Sequence, residues 1–224
     1  MWFWVWAMGC TCGQGGGAAL PPGQSAAAAA AVSPDMSRPA PSRAVAGLVL
    51  GHSAENDVAA WVTGNALNCV TAASPRRRTT RTQCTEPPSS IFEGRSQVGT
   101  IEHVLVVRPD DGPVHFLSSR RVYAAGPEAR LDYEAARQAL SSVNGAPTVD
   151  GPAPDPLDTQ LPLLRYSTQW SYSDLEVKLT LLKTNEAELS ISETWTIPGV
   201  EAATEARENR KADGSSGASK GSSP

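Results

Sequence analysis

The chain has 224 residues, a formal net charge of −4 and 40% apolar residues. That balance argues against a general nucleic-acid binder, which would carry a basic surplus. No apolar run approaches the roughly 20 residues of a membrane-spanning helix. Both ends are poor domain material, which leaves about 155 residues between them, an ordinary single-domain size.

Trp2 to Met8 form an apolar block, followed by Gly9 and Cys10. This resembles the end of a bacterial lipoprotein signal peptide, where small residues precede a cysteine that is lipidated and becomes the mature N-terminus. Ala7, Met8, Gly9 and Cys10 fill that lipobox, with Ala7 where leucine is usual. No Lys or Arg precedes Arg38, so the positive region of a secretory signal is missing, as it would be if the true start lay upstream. The competing reading is a hydrophobic tail in which Trp2, Trp4 and Trp6 have no special role. A diacylated Cys10 would supply two buried chains, enough for stable anchoring.

Residues 1–10 are thus expected to be signal-like, and 11–42 a disordered tether. The tether holds Gly15 to Gly17, Pro21-Pro22, an alanine run from Ala26 to Ala31, then Pro34, Pro39 and Pro41. Such composition cannot bury a core. As a flexible coil it would span roughly 30 Å.

The folded region is expected over 43–199, in halves of about 43–124 and 125–199. Arg43 to Leu50 is short and apolar, and Gly51-His52-Ser53 breaks it. Ser53 is a candidate N-cap, with Glu55 and Asp57 in the first turn. Val58, Trp61 and Val62 share one helical face, and Gly64-Asn65 can stop the helix. Cys69 and Cys84 flank a basic loop with Arg76, Arg77, Arg78 and Arg81. In an exported protein these two are expected to form a disulfide, which would contribute roughly 3 kcal/mol; the alternative is a pair of unpaired thiols. A zinc site is not expected, because there is no CxxC pair or histidine cluster. The arginines read as a solvated loop, or as a contact for an anionic partner.

Gly99 to Arg108 and Val114 to Tyr123 are strand candidates around the turn Pro109-Asp110-Asp111-Gly112-Pro113. Glu128 to Val143 is the strongest helix. Leu131, Ala135, Ala136, Ala139, Leu140 and Val143 mark its apolar stripe, and Asn144-Gly145-Ala146-Pro147 ends it. A Pro- and Asp-rich loop runs from Asp150 to about Gln160. Leu163 to Ile197 then reads as a three-stranded meander. Leu175, Val177, Leu179 and Leu181 alternate with Glu176, Lys178 and Thr180. Leu189, Ile191 and Trp195 alternate with Glu188, Ser190, Ser192 and Thr194. That is the period of a sheet with one dry face and one wet face. Residues 200–224 are expected to be a charged, then Gly/Ser-rich, disordered tail.

The halves match in order, each a helix ending at glycine followed by strands. On that pattern the chain resembles the SmpA/OmlA-type outer-membrane-assembly lipoproteins and the beta-lactamase-inhibitor-protein-like fold. Gly51, Ser53 and Val58 match the opening of their repeat, and Asn144 to Pro147 its ending. Gly64-Asn65-Ala66 lacks the proline, and Leu131-Asp132-Tyr133 stands where a second opening would fall. The resemblance covers roughly residues 45–198. It implies an α+β fold of two helix-plus-β-meander units on one antiparallel sheet, with helices on one face.

The chemistry-bearing candidates all have plainer readings. Gly51-His52-Ser53-Ala54-Glu55 lacks the last glycine of a nucleophile elbow, so a capping role suits Ser53 better. His103 and His115 could face each other across a hairpin as a metal pair, or be sheet-surface histidines. Trp61, Trp170 and Trp195 read as core anchors, or one of them as an exposed interface residue. No phosphate loop or dinucleotide fingerprint occurs. No catalytic residue, metal site or small-molecule cofactor is expected. The reading is an exported, lipid-anchored, non-enzymatic binding or scaffold domain of the bacterial cell envelope, facing the periplasm or cell surface. Its expected partner is another envelope protein. The alternative is an inhibitor of a secreted hydrolase, with Asp110-Asp111 as the plug.

Overall fold

The computed structural model describes residues 37–92, 99–151, 164–185 and 188–200. Cys10, Cys12, the signal-like segment, most of the tether and loop, and the tail beyond residue 200 lie outside the described residues. The fold is α+β, an eight-stranded antiparallel sheet with two helices. A small ribbon comes first, β1 (Ala44–Val45) and β2 (Leu48–Val49). Helix α1 (Glu55–Gly64) follows. The first run of sheet strands is β3 (Asn68–Ser74), β4 (Thr79–Thr85), β5 (Thr100–Pro109) and β6 (Phe116–Tyr123). Helix α2 (Gly126–Asn144) leads to the stub β7 (Val149–Asp150) and then β8 (Leu164–Ser171), β9 (Glu176–Asn185) and β10 (Glu188–Thr196). The spatial order is β3-β4-β5-β6-β10-β9-β8-β7.

Directly opposed residues of antiparallel strands share a face, so the register defines rows across the sheet. One row runs Thr71, Thr82, Val106, Leu117, Trp195, Val177, Trp170. The next runs Cys69, Cys84, Val104, Ser119, Glu193, Leu179, Thr168. From β4 inward every member of both rows is buried. This is the dry face. On the other face stand Leu105, Val107, Phe116, Val122 and Leu182, all partly exposed, among Arg120, Ser192, Thr180 and Lys178. The expected meander is present, but its wet face is not uniformly wet: Ser190 is buried between Val122 and Leu182.

Several expectations are corrected. The first half has four long strands, not three, because Cys69 and Cys84 lie on two paired strands and the basic loop is their hairpin turn. Ser53 does not cap α1; Ala54 is the N-cap residue. The Ser53 hydroxyl instead accepts the Val49 N–H at 2.9 Å, and Asp57 accepts the Ala54 N–H at 2.8 Å. The stripe of α2 is rotated: Leu131 and Val143 are exposed, while Ala129, Asp132, Tyr133, Ala136, Leu140 and Asn144 are buried. Tyr133 and Asp132 recruit that face by bonding to Thr168 and Tyr123. The segment around Arg43 is tied to the β8-β9 turn. The Ala40 N–H donates to Asp174 at 2.7 Å, and Arg43 donates to the same carboxylate.

Trp61, Trp170 and Trp195 are all buried. The indole N–H groups of Trp61 and Trp170 donate to the Ala46 and Gly145 carbonyls at 2.6 and 3.0 Å, as buried indoles must. Gly145, at φ 78°, ends α2 where a side chain would be strained.

Candidate functional site

The most densely charged interior group sits where β6, β10 and α2 meet. Arg121 and Glu193 are essentially inaccessible, at 1% and 0% side-chain exposure, and Arg121 Nη2 donates to Glu193 Oε1. Asp132 of α2 comes within 4.0 Å of Arg121 Nη1. The Tyr123 hydroxyl donates to Asp132 at 2.5 Å, and the Gly99 N–H at 3.2 Å. Gly99 is required there, because a Cβ would lie 2.4 Å from the Tyr123 ring. Burial penalises the guanidinium of Arg121, yet Glu193 and Tyr123 outweigh it and hold the group above its ordinary pKa. Burial, with the bond to Asp132, pushes the Tyr123 phenol well up. Arg121 Nε and Nη1 make no hydrogen bond among the described residues. The cluster borders neither of the two surface cavities described below. What it can do is orient α2 on the sheet.

The same positions on the opposite face are open. Arg120 donates to Glu102 at 2.5 Å and to Glu188, and His103 Nδ1 lies 3.7 Å from Glu102. Register shifts fall beside both acids, between Ile101 and His103 and between Glu188 and Leu189. Bulges re-aim side chains in this way, so Arg120 of β6 ties together its two neighbours, β5 and β10. His103 stands opposite Arg120, not His115. His115 is buried near Val107, so the two histidines do not form a pair. Among the described residues no group of three or more His, Cys, Asp or Glu is placed to hold a metal ion.

The acidic turn is built into its neighbours. Asp110 accepts from Thr80 at 3.2 Å, and its N–H bonds the Arg78 carbonyl. Asp111 lies 3.5 Å from Arg78 and is 89% exposed. Behind it, Arg108 is anchored by Glu55 at 2.6 Å and by the carbonyls of Pro109 and Asp110. A shallow depression of about 360 Å³ lies here, lined by His52, Glu55, Arg108 and the two aspartates. A second cavity, of about 530 Å³, lies between the β1-β2 turn, Ile91-Phe92 and the end of α2, with Trp195 as its floor. Its lining is wholly uncharged, so it offers no general acid or base.

Cys69 and Cys84 are joined by a disulfide with a Cα–Cα distance of 3.9 Å. Arg76, Arg77 and Arg78 occupy the turn beyond it, and Arg81 lies in β4. The charges missed from sequence, Arg121 and Glu193, did carry a signal. Each stands in phase with the apolar residues of its strand, Leu117 and Tyr123 in one, Leu189, Ile191 and Trp195 in the other.

No helix among the described residues is long and apolar enough to cross a membrane. Comparison with protein-family models, with curated proteins and with solved structures gave no match to this chain.

Proposed function

We propose that this chain is an exported, lipid-anchored, non-enzymatic domain of the bacterial cell envelope that binds or scaffolds another envelope protein. The observation that carries the binding reading is the asymmetry of the sheet. One face is closed over the core, and the other offers partly exposed Leu105, Val107 and Phe116 in adjacent register positions. Apolar groups rimmed by Arg120, Ser118 and Thr194 have the composition of a protein contact surface. The anchoring reading rests on the lipobox-like Ala7 to Cys10.

The architecture we assign is two helix-plus-meander units of the SmpA/OmlA type with both helices on one face. The strand order, in which the two runs meet at β6 and β10, supports the tandem arrangement. Glu55 of α1 reaches Arg108, and Asp132 of α2 reaches Tyr123. Both targets project from the same side of the sheet as the buried rows.

Two measurements test the function. Mass spectrometry of the mature protein from a bacterial host should find a diacylated Cys10, and Cys10→Ala should release the protein from membranes; unmodified Met1 on membrane-free protein removes the anchor. A photo-crosslinker at Val107 should capture one defined envelope protein, while one at exposed Leu131 on α2 should not. Equal capture from both positions removes the open-face reading.

The exposure of Asp111 keeps a second reading, an inhibitor whose acidic turn enters a hydrolase active site. Asp111→Lys should then abolish inhibition without unfolding the domain; a scaffold tolerates the change.

A further inference from the structure

The two edges of the sheet are unlike. β7 is two residues long, and its Asp150 is clamped by Arg137 of α2. Short, charged edges resist pairing with other chains. β3 reads Asn-Cys-Val-Thr-Ala-Ala-Ser over seven residues, with no charge, no proline and no register shift against β4. Val70 is 71% exposed, the most exposed large apolar residue among those described.

The disulfide gives the direction of the backbone groups. Cys69 faces Cys84 at a Cα–Cα distance of 3.9 Å. That is the close spacing of a non-hydrogen-bonded antiparallel pair, about 4.5 Å rather than 5.5 Å. In such a pair both N–H and C=O point away from the partner strand. By alternation Thr71 and Ala73 do the same. Cys69, Thr71 and Ala73 therefore aim their amides and carbonyls outward from the sheet, and the crosslink holds this edge as a rigid template.

Charge says what would bind. The β3-β4 hairpin carries Arg76, Arg77, Arg78 and Arg81 on a chain whose net charge is −4. Arg78 meets Asp111. Arg76, Arg77 and Arg81 are exposed and meet no carboxylate among the described residues.

We propose that β3 is a strand acceptor: an extended partner segment, acidic where it passes Arg76 and Arg77, adds to the sheet along Cys69, Thr71 and Ala73. The mode is β-augmentation, with main-chain bonds supplying affinity and side chains beside the edge supplying selectivity. This deepens the protein-binding reading above and rests on it.

The test uses the full chain and a synthetic peptide of alternating Val and Thr with a Glu-Asp-Glu end. In the free protein, hydrogen exchange at the Cys69, Thr71 and Ala73 amides should be fast, and at Val70 and Ala72 slow. The peptide should slow the fast set. Its binding should fall with salt and be lost in the Arg76→Glu/Arg77→Glu double variant. Thr71→Pro removes one outward N–H that the fold does not use, a change edge strands tolerate. It should weaken binding about tenfold or more relative to Thr71→Ala, the weight of one backbone bond and its neighbours; Thr71→Ala controls for the hydroxyl bond to Thr82 at 3.1 Å that both variants lose.

Peptide binding that leaves these amides unprotected overturns the proposal, as does no binding at all. A Lys-Arg-Lys peptide binding equally well overturns its charge. Protection that appears with protein concentration alone, without peptide, assigns the edge to a second copy and overturns the acidic partner. If the crosslinks from Val107 persist in Thr71→Pro at full yield while the peptide fails to bind, the strand-acceptor idea falls and the open-face reading stands. If the peptide binds and Val107 captures nothing, the reverse holds.

Discussion

Arg120 and Arg121 are neighbours on β6 and point to opposite faces of the sheet. Each meets a pair of carboxylates. Arg120 has Glu102 and Glu188, all three between 30% and 47% exposed. Arg121 has Glu193 and Asp132, all within 2% of full burial. The same chemical set thus appears in water and in the core. In water the pairs are screened and contribute little. In the core the desolvation of each ion is large, so the members depend on one another. The buried cluster specifies how α2 docks; the exposed one trims the join between two strand runs.

The largest expected effect comes from breaking the buried set on one side. Arg121→Met removes the buried guanidinium that donates to Glu193, and urea unfolding should show a loss of about 3–5 kcal/mol. Arg121→Met with Glu193→Leu should recover most of that loss, because Asp132 keeps its donors Tyr123 and Gly99. Failure to recover would mean that the pair contributes more than mutual neutralisation.

Tyr123→Phe removes one donor to Asp132 and should cost about 1.5–3 kcal/mol at neutral pH. It should also alter the alkaline limb. The folded-state phenol is pushed up by burial, so its contribution is full below about pH 10 and is lost as the pH rises beyond the unfolded value. Tyr123→Phe should remove that share of the decline in a pH series of thermal unfolding.

Arg43 and Asp174 form an intermediate case, half-buried. Burial alone would raise the Asp174 carboxyl, but the Ala40 amide and Arg43 outweigh it and hold it below its ordinary value. Its stabilisation is present above about pH 4 and lost as the pH falls toward the lowered value. Asp174→Asn should cost about 1 kcal/mol near neutrality and flatten the acid limb.

Arg120→Ala should be the smallest, at most about 1 kcal/mol. About 1 M salt should abolish its effect and leave that of Arg121→Met nearly intact. If salt erased both, the buried cluster would be accessible to solvent.

Much of the fold was legible in the sequence. The period of two in Leu175 to Leu181 placed β9, and Pro109 to Pro113 placed the β5-β6 turn, because alternation and turn chemistry are local. The α2 stripe was misplaced because residue type pointed to Leu131 and Val143. The sheet instead selects Tyr133 and Asp132, whose hydroxyl and carboxylate find partners only on distant strands. Glu193 was passed over in an otherwise apolar alternation, though its phase marked it as inward-facing.

The sequence by itself determined the second-half meander, the two helices and the acidic and basic turns, since each follows from neighbours a few residues apart; it offered Cys69 and Cys84 as partners without deciding the bond, which the β3-β4 pairing makes. Tertiary structure alone decided that β6 joins β10, that Arg121 meets Glu193 across 72 residues of chain, and that β3 rather than β7 is the long edge. Strand pairing is set by which surfaces can be buried together, and a linear pattern assigns each residue a face without naming the strand it will meet.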